Sequence, residues 1–120
     1  YTQAYTLSLH DALPIFGENI ADLGGLSVAY DALQMSLKNS TDEKIDGFTQ
    51  EQRFFLNWAK VWRRAFRPEE LRLRLNTDPH APAMFRAIGA PSNLPAFAEA
   101  FDCKTGDGMI RPREKRVKIW

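Results

Sequence analysis

Two carboxylates four residues apart, Glu18 and Asp22, stand in the segment GENIADLGG. Side chains at this spacing leave a helix from the same face, so a helix here would present both carboxylates together. Most such pairs are solvent-facing acids, and the spacing alone favours that interpretation. This pair lies beside an apolar stripe and two small residues, Gly25 and Ala29. Because small residues let another element approach closely, the strip indicates a packing or functional purpose.

A second candidate group combines a histidine and an arginine, His80 and Arg86, in the segment NTDPHAPAMFR. A lone histidine in a loop is more often structural or exposed than catalytic. Pro79 and Pro82 restrict the backbone around the histidine. The residue types alone therefore leave a structural and a functional interpretation open.

Helical periodicity is strong in the segments that would position these residues. Residues 18–38 predict a helix with an apolar stripe made of Leu23, Leu26, Tyr30, Leu33 and Leu37. After a turn at Asp46-Gly47, Thr49 and Gln52 predict a capping box at the start of a second helix. Its apolar side would carry Phe54, Phe55, Trp58, Val61, Trp62 and Phe66.

Further helices are predicted towards the end of the chain. Pro68 suits the first turn of a third helix that runs to about residue 76. Residues 77–91 contain three prolines and Gly89, which predict a loop with one helical turn at 83–86. Residues 93–101 predict a short helix, and the tail is expected to dock on the core. The expected fold class is mainly α.

Composition excludes several classes of partner. The 120 residues carry 16 basic and 15 acidic side chains, a net charge of +1, so we expect no nucleic-acid partner. No apolar run approaches the ~18 residues of a membrane span, so we expect no membrane segment in this chain. The single cysteine, Cys103, cannot form an internal disulfide.

Several ordered motifs together resemble the neprilysin family of zinc metallopeptidases. They are GENIADLGG, FFLNWAKVWR, RPEELRLRLNTDPH and the closing run that ends in Trp120. The resemblance covers about residues 17–120. It implies that they form the C-terminal helical part, itself incomplete, of a thermolysin-like zinc metallopeptidase catalytic domain. It also implies peptide substrates and a location outside the cytoplasm, with bacterial exceptions.

The resemblance implies a role for each candidate residue. Glu18 would be the carboxylate ligand of a catalytic Zn²⁺, and Asp22 would accept a hydrogen bond from a zinc-bound histidine. His80 would donate a hydrogen bond to the oxyanion of the tetrahedral intermediate. Arg86 would bind a substrate carbonyl.

The metal-binding motif that supplies the two histidine ligands and the general base in this family, HExxH, does not occur in the sequence. Because a catalytic zinc takes three protein ligands and a water, we expect this chain to be inactive alone. Two alternatives stay open. One is a helical interaction module that binds a partner through Phe54, Trp58 and Trp62, and the other is an inactive paralogue of the peptidase.

Residues Tyr5 to Ile15, YTLSLHDALPI, back-translate to a sequence similar to a sequencing-adapter oligonucleotide. We therefore expect residues 1–16 to be an adapter-like, disordered stretch and residues 17–120 to be the catalytic-domain part. On this interpretation, His10 and Asp11 belong to no site.

Overall fold

A computed structural model of the chain describes residues 9–38 and 43–119, with side chains in the first range from residue 17 onward. It contains five α-helices: α1 (Leu9–Leu37), α2 (Gln50–Val61), α3 (Pro68–Thr77), α4 (Ala83–Asn93) and α5 (Pro95–Ala100). A short 3-10 helix follows at Arg113–Lys115. Within the described ranges there is no β-strand, only an isolated bridge between Ile45 and Phe48. The predicted mainly α fold is confirmed.

Helix α1 is longer than the sequence predicted, since it begins at Leu9 and not at Glu18. The adapter origin of residues 1–16 stays a prediction. The predicted apolar stripe is found, with Leu23 and Leu26 buried in the core. In the described structure, no other helix packs against the neighbouring strip of small residues. Gly25 and Ala29 are exposed, and a methyl group on Gly25 would meet no atom within 4 Å.

Helix α2 begins as predicted. The Thr49 hydroxyl accepts a hydrogen bond from the Gln52 N–H (3.2 Å), and the Gln52 side chain accepts one from the Thr49 N–H (3.1 Å). This reciprocal capping box satisfies backbone donors that the helix leaves unpaired. Before it, Asp46 and Gly47 both have positive φ angles (54° and 80°), so the predicted turn is also confirmed.

The core forms around Phe55, which is 2% exposed. Its ring contacts Tyr30 of α1 (centroids 5.5 Å apart) and Phe97 of α5 (5.3 Å). This geometry is typical of favourable aromatic pairs. The predicted burial of Val61 is wrong, because this residue at the end of α2 is 58% exposed. The aromatic contacts hold α1, α2 and α5 together.

The loop predicted for residues 77–91 is found only at residues 78–82, and the single turn predicted at 83–86 is the start of the 11-residue helix α4. Pro82 and Pro91 are compatible with this helix for different reasons. Pro82 precedes the first helical residue, where no N–H is needed, and Pro91 lies in the last turn. Burial of residues 90–93 compensates the hydrogen bond that Pro91 cannot make.

Helix α4 packs on three of the other helices, α1, α2 and α5. It also anchors the tail. The Asn93 side chain accepts a hydrogen bond from the Val117 N–H (2.9 Å), and the Ser92 carbonyl accepts one from the Arg111 N–H (3.2 Å). Docking of the tail is therefore observed for these residues, whereas Trp120 lies outside the described residues.

Candidate functional site

Glu18 and Asp22 lie on the face of α1 that turns towards α4, as their four-residue spacing requires. The Asp22 side chain is only 12% exposed, while that of Glu18, one turn earlier, is 43% exposed. A carboxylate as buried as Asp22 needs a cation or hydrogen-bond donors to remain ionised. Helix α4 supplies them.

The partner of Asp22 is Arg86, whose side chain is also 12% exposed. Arg86 Nε donates to Asp22 Oδ2 and Nη2 donates to Oδ1, both at 2.7 Å. The same Nη2 also donates to Glu18 Oε2 at 3.2 Å. Bidentate arginine–carboxylate pairs such as Arg86–Asp22 are strong and directional. The hydrogen bonds to Asp22 raise the pKa of Arg86 further above its ordinary value, so the guanidinium stays charged.

An aromatic ring covers this guanidinium. Arg86 Cζ lies 4.0 Å from the ring centroid of Trp62, the residue that caps the C-terminus of α2. This distance is well within the range of a cation–π contact. Trp58 packs edge-on against Trp62, with ring centroids 5.8 Å apart. The sequence predicted Trp62 only as an apolar residue of α2, and its contact with Arg86 was missed.

His80 lies in the segment between α3 and α4 and is held by Asp78. One carboxylate oxygen, Asp78 Oδ1, accepts from the His80 backbone N–H (3.0 Å) and lies 2.7 Å from His80 Nδ1. Two hydrogen bonds lower the pKa of Asp78 below its ordinary value. The larger effect comes from the His80 backbone N–H and the smaller one from the His80 imidazole. Sequence reasoning missed Asp78, although the D-P-H spacing, which lets an aspartate accept from the backbone two residues on, could have indicated it.

The four predicted residues therefore come together, and Glu18, Asp22, His80 and Arg86 are named here the polar cluster. With Nδ1 engaged, His80 turns Nε2 towards Glu18 and lies 3.5 Å from its Oε1. In a helical interaction module without chemistry, nothing would hold Glu18 and Asp22 close to His80, and both carboxylates would be free to face solvent. The observed contacts do not meet that condition.

The described residues do not fit a zinc site by themselves. Glu18 is the one predicted ligand, and its two oxygens face His80 and the Arg86 cation. Across the ranges that the structure describes, no group of three or more His, Cys, Asp or Glu side chains is placed to hold a metal ion. A catalytic zinc needs three protein ligands, so this part of the chain does not complete one.

Comparisons with known proteins show similarity to one peptidase family. The profile described as "Peptidase family M13" matches residues 2–117. Human neprilysin is 43% identical over 107 residues, and rat endothelin-converting enzyme 1 is 46% identical over the same length. The matches cover 87% of this chain and 14% of each relative, so the chain spans a small part of their length.

A solved structure extends this likeness to the fold. The Mycobacterium tuberculosis zinc metalloprotease Zmp1, crystallised with an inhibitor, superposes with a TM-score of 0.83 at 45% identity. The alignment covers 89% of this chain and 16% of the Zmp1 chain. Among the described helices, none is long and apolar enough to cross a membrane.

The Arg86–Asp22 pair predicts a large difference between two arginine variants. Replacing Arg86 with Met leaves the Asp22 carboxylate buried without its cation, which should lower the free energy of unfolding by about 3 kcal/mol. Arg74→Met removes partly exposed pairs with Glu70 and Asp78 and should cost less than about 1 kcal/mol. Urea unfolding followed by circular dichroism measures both. Equal losses would show that Arg86 is not held as described.

The Asp78–His80 contact predicts the tautomer of the neutral imidazole. Because Asp78 accepts from Nδ1, the Nδ1–H form should dominate at alkaline pH. Asp78→Ala should shift the ring towards the Nε2–H form, while Asp107→Ala, in an exposed turn, should leave it unchanged. Long-range ¹H–¹⁵N NMR spectra distinguish the two tautomers, with His80→Gln used to assign the signals. An unchanged tautomer in Asp78→Ala would contradict the contact.

Proposed function

Because the chain belongs to peptidase family M13, we propose that it carries part of the catalytic site of a zinc endopeptidase. The neprilysin-type resemblance of the sequence is confirmed by the family match. The observation that supports the proposal is the convergence of the polar cluster, which joins side chains of α1 to His80 and Arg86 far along the sequence. In such an enzyme, zinc supplies the Lewis acidity that activates a water for attack on the scissile carbonyl.

Within this proposal, Glu18 is the carboxylate that this chain contributes to the metal. The side chain is half-exposed, which suits a ligand whose metal and remaining ligands come from outside the described residues. Asp22 lies one turn further along and uses each oxygen once, towards Arg86. Since a carboxylate oxygen has two lone pairs, Asp22 keeps the capacity to accept from a metal-bound histidine.

His80 is proposed to stabilise the negative charge that develops on the carbonyl oxygen of the substrate. Asp78 accepts from Nδ1–H, so in the protonated imidazole Nε2–H is the group left to donate a hydrogen bond. The His80 side chain is 46% exposed, so the imidazole is accessible to a substrate. A fixed donor of this kind contributes because it needs no reorientation as the charge forms.

Arg86 is proposed to bind a peptide carbonyl of the substrate. Its Nε and Nη2 are occupied by the two carboxylates, so Nη1 is the donor that remains for a ligand in the described structure. The rigid contacts to Asp22 and Trp62 hold the guanidinium in one orientation. Preorganised binding of this kind lowers the entropy lost when the peptide is placed.

The proposal includes peptide substrates and, by the likeness to its relatives, action outside the cytoplasm. We also propose that the chain alone does not hydrolyse peptides, since this chain contributes one of the three protein ligands that a catalytic zinc needs. An internally quenched peptide incubated with the purified chain and Zn²⁺ should show no hydrolysis above a Glu18→Ala variant. Zinc-dependent turnover that disappears in Glu18→Ala would contradict this statement.

A chimera tests the residue roles directly. Residues 17–120 replace the aligned segment of Zmp1, which is 45% identical, and zinc content and hydrolysis are measured. The chimera should bind zinc and hydrolyse peptide, and Glu18→Ala should lose the metal. His80→Phe should keep the metal and the KM while kcat falls about 100-fold or more. Glu69→Ala, on the exposed side of α3, is the matched control.

Two other results of the chimera experiment would redirect the interpretation. A chimera that binds zinc without hydrolysing peptide would support the inactive paralogue. Zinc retained at full occupancy in Glu18→Ala would contradict the proposed ligand.

A further inference from the structure

Helix α2 has one face that the core leaves uncovered. At spacings of three and four residues, four exposed residues form this face: Leu56, Ala59, Lys60 and, just past the helix end, Arg63. Phe54 and Trp58, two of the residues named above for a partner-binding face, pack against the core. An interaction surface on α2 would therefore lie on the side opposite to them.

A shallow groove of about 470 Å³ lies between this face and α4, which contributes Met84 and Ala87 to the lining. Leu56 is 41% exposed and Met84 is 61% exposed, so both walls leave apolar surface in contact with water. Apolar side chains of a partner would remove that surface, and their own, from water. This burial is favourable in proportion to the apolar area covered.

The charged residues of the groove all have the same sign. Lys60, Arg63 and Arg64 line it. Among the residues that the structure describes, no aspartate or glutamate lines it, and none of these three cations has a carboxylate within ion-pair distance. The sequence has no acidic residue between Glu51 and Glu69 and none within α4. The groove is therefore complementary to an anionic partner.

The apolar and cationic parts of the groove follow each other along α2. Lys60 lies one turn after Leu56, and Arg63 lies one turn after Ala59, so the positive charge collects at the C-terminal end of the helix. A second helix lying antiparallel to α2 would place its own first turn at that end. Acidic side chains are favourable in a first turn because of the helix dipole, so an antiparallel helix can satisfy both the apolar walls and the cations.

We propose that the groove between α2 and α4 is a docking surface for an amphipathic helix of a partner protein, one whose first turn is acidic. The apolar residues of that helix lie against Leu56 and Met84, and its carboxylates pair with Lys60 and Arg63. This is the helix-in-groove mode of recognition. No residue of the polar cluster lines the groove, so the inference goes beyond the proposed peptidase function and does not rest on it.

Two synthetic peptides of about 15 residues, long enough to form a helix on binding, test the docking surface. Both have blocked termini and leucines spaced three and four residues apart, and they differ in the first turn, which carries glutamates in one and glutamines in the other. In an NMR titration of the complete chain with EDTA present, the glutamate peptide should bind about fivefold more tightly, since exposed ion pairs each contribute modestly. The Met84 methyl signal should shift, and the preference should weaken as salt is added.

A double variant and its charge-matched control assign the preference to the groove. K60Q/R63Q should abolish the glutamate preference while retaining binding of both peptides through the apolar walls. R53Q/R113Q changes the net charge equally at exposed positions outside the lining and should retain the preference. Circular dichroism checks that both variants fold.

A second pair of variants tests the apolar contact. Met84→Gln keeps the size of the side chain but makes it polar, and it should weaken binding of both peptides about fivefold or more. Leu73→Gln makes the same kind of change at an exposed position of α3 outside the lining and should leave both affinities unchanged.

Equal affinity for the two peptides, no binding by the unmodified chain, or a preference that survives in K60Q/R63Q would overturn the proposal. Two other occupants would also overturn it. One is a second copy of this chain, shown by self-association in sedimentation velocity that Met84→Gln abolishes. The other is a lipid surface, shown by binding to anionic phospholipid vesicles, through Lys60 and Arg63, in a chain that does not bind the peptides.

None of these measurements requires zinc or turnover. A failure of the docking surface is therefore distinguishable from a failure of the proposed peptidase function, which the Zmp1 chimera tests.

Discussion

The ion pair between Arg86 and Asp22 is the interaction on which the geometry of the site depends. It joins the first long helix to the fourth at a place where both side chains are nearly buried. A buried charge without a partner costs several kcal/mol, so only an arrangement that pairs these two groups is stable. The pair thereby fixes the relative position of α1 and α4, and Trp62 adds α2 by covering the guanidinium.

This constraint explains how two acids can lie next to an apolar stripe. Glu18 and Asp22 would repel each other across one helical turn, but one guanidinium donates to both. Asp22 takes the two shorter bonds and is buried, whereas Glu18 takes a single longer one and remains half-exposed beside His80. The two carboxylates thus differ in availability because of where Arg86 lies, which matches the different roles proposed for them.

Local rules predicted the elements whose signals lie within a few residues. The Thr49–Gln52 capping box, the Asp46-Gly47 turn and Pro68 at the start of α3 all occur as expected. Only the first turn of α4 was predicted, because the burial of its last turn, which outweighs the cost of Pro91, is a tertiary quantity. The site residues were named from their motifs, whereas the partners of Arg86, and the role of Asp78 beside His80, depend on contacts that periodicity does not encode.

The exchange rate of the Arg86 side-chain N–H tests the central contact most directly. Nε–H donates to Asp22 at 2.7 Å beneath the Trp62 ring, so its NMR signal should be resolved and protected from solvent exchange. Asp22→Asn should accelerate that exchange, whereas the exposed Arg53 should exchange rapidly in both proteins. An Arg86 Nε–H that exchanges as fast as that of Arg53 in the unmodified chain would contradict the ion pair and the arrangement built on it.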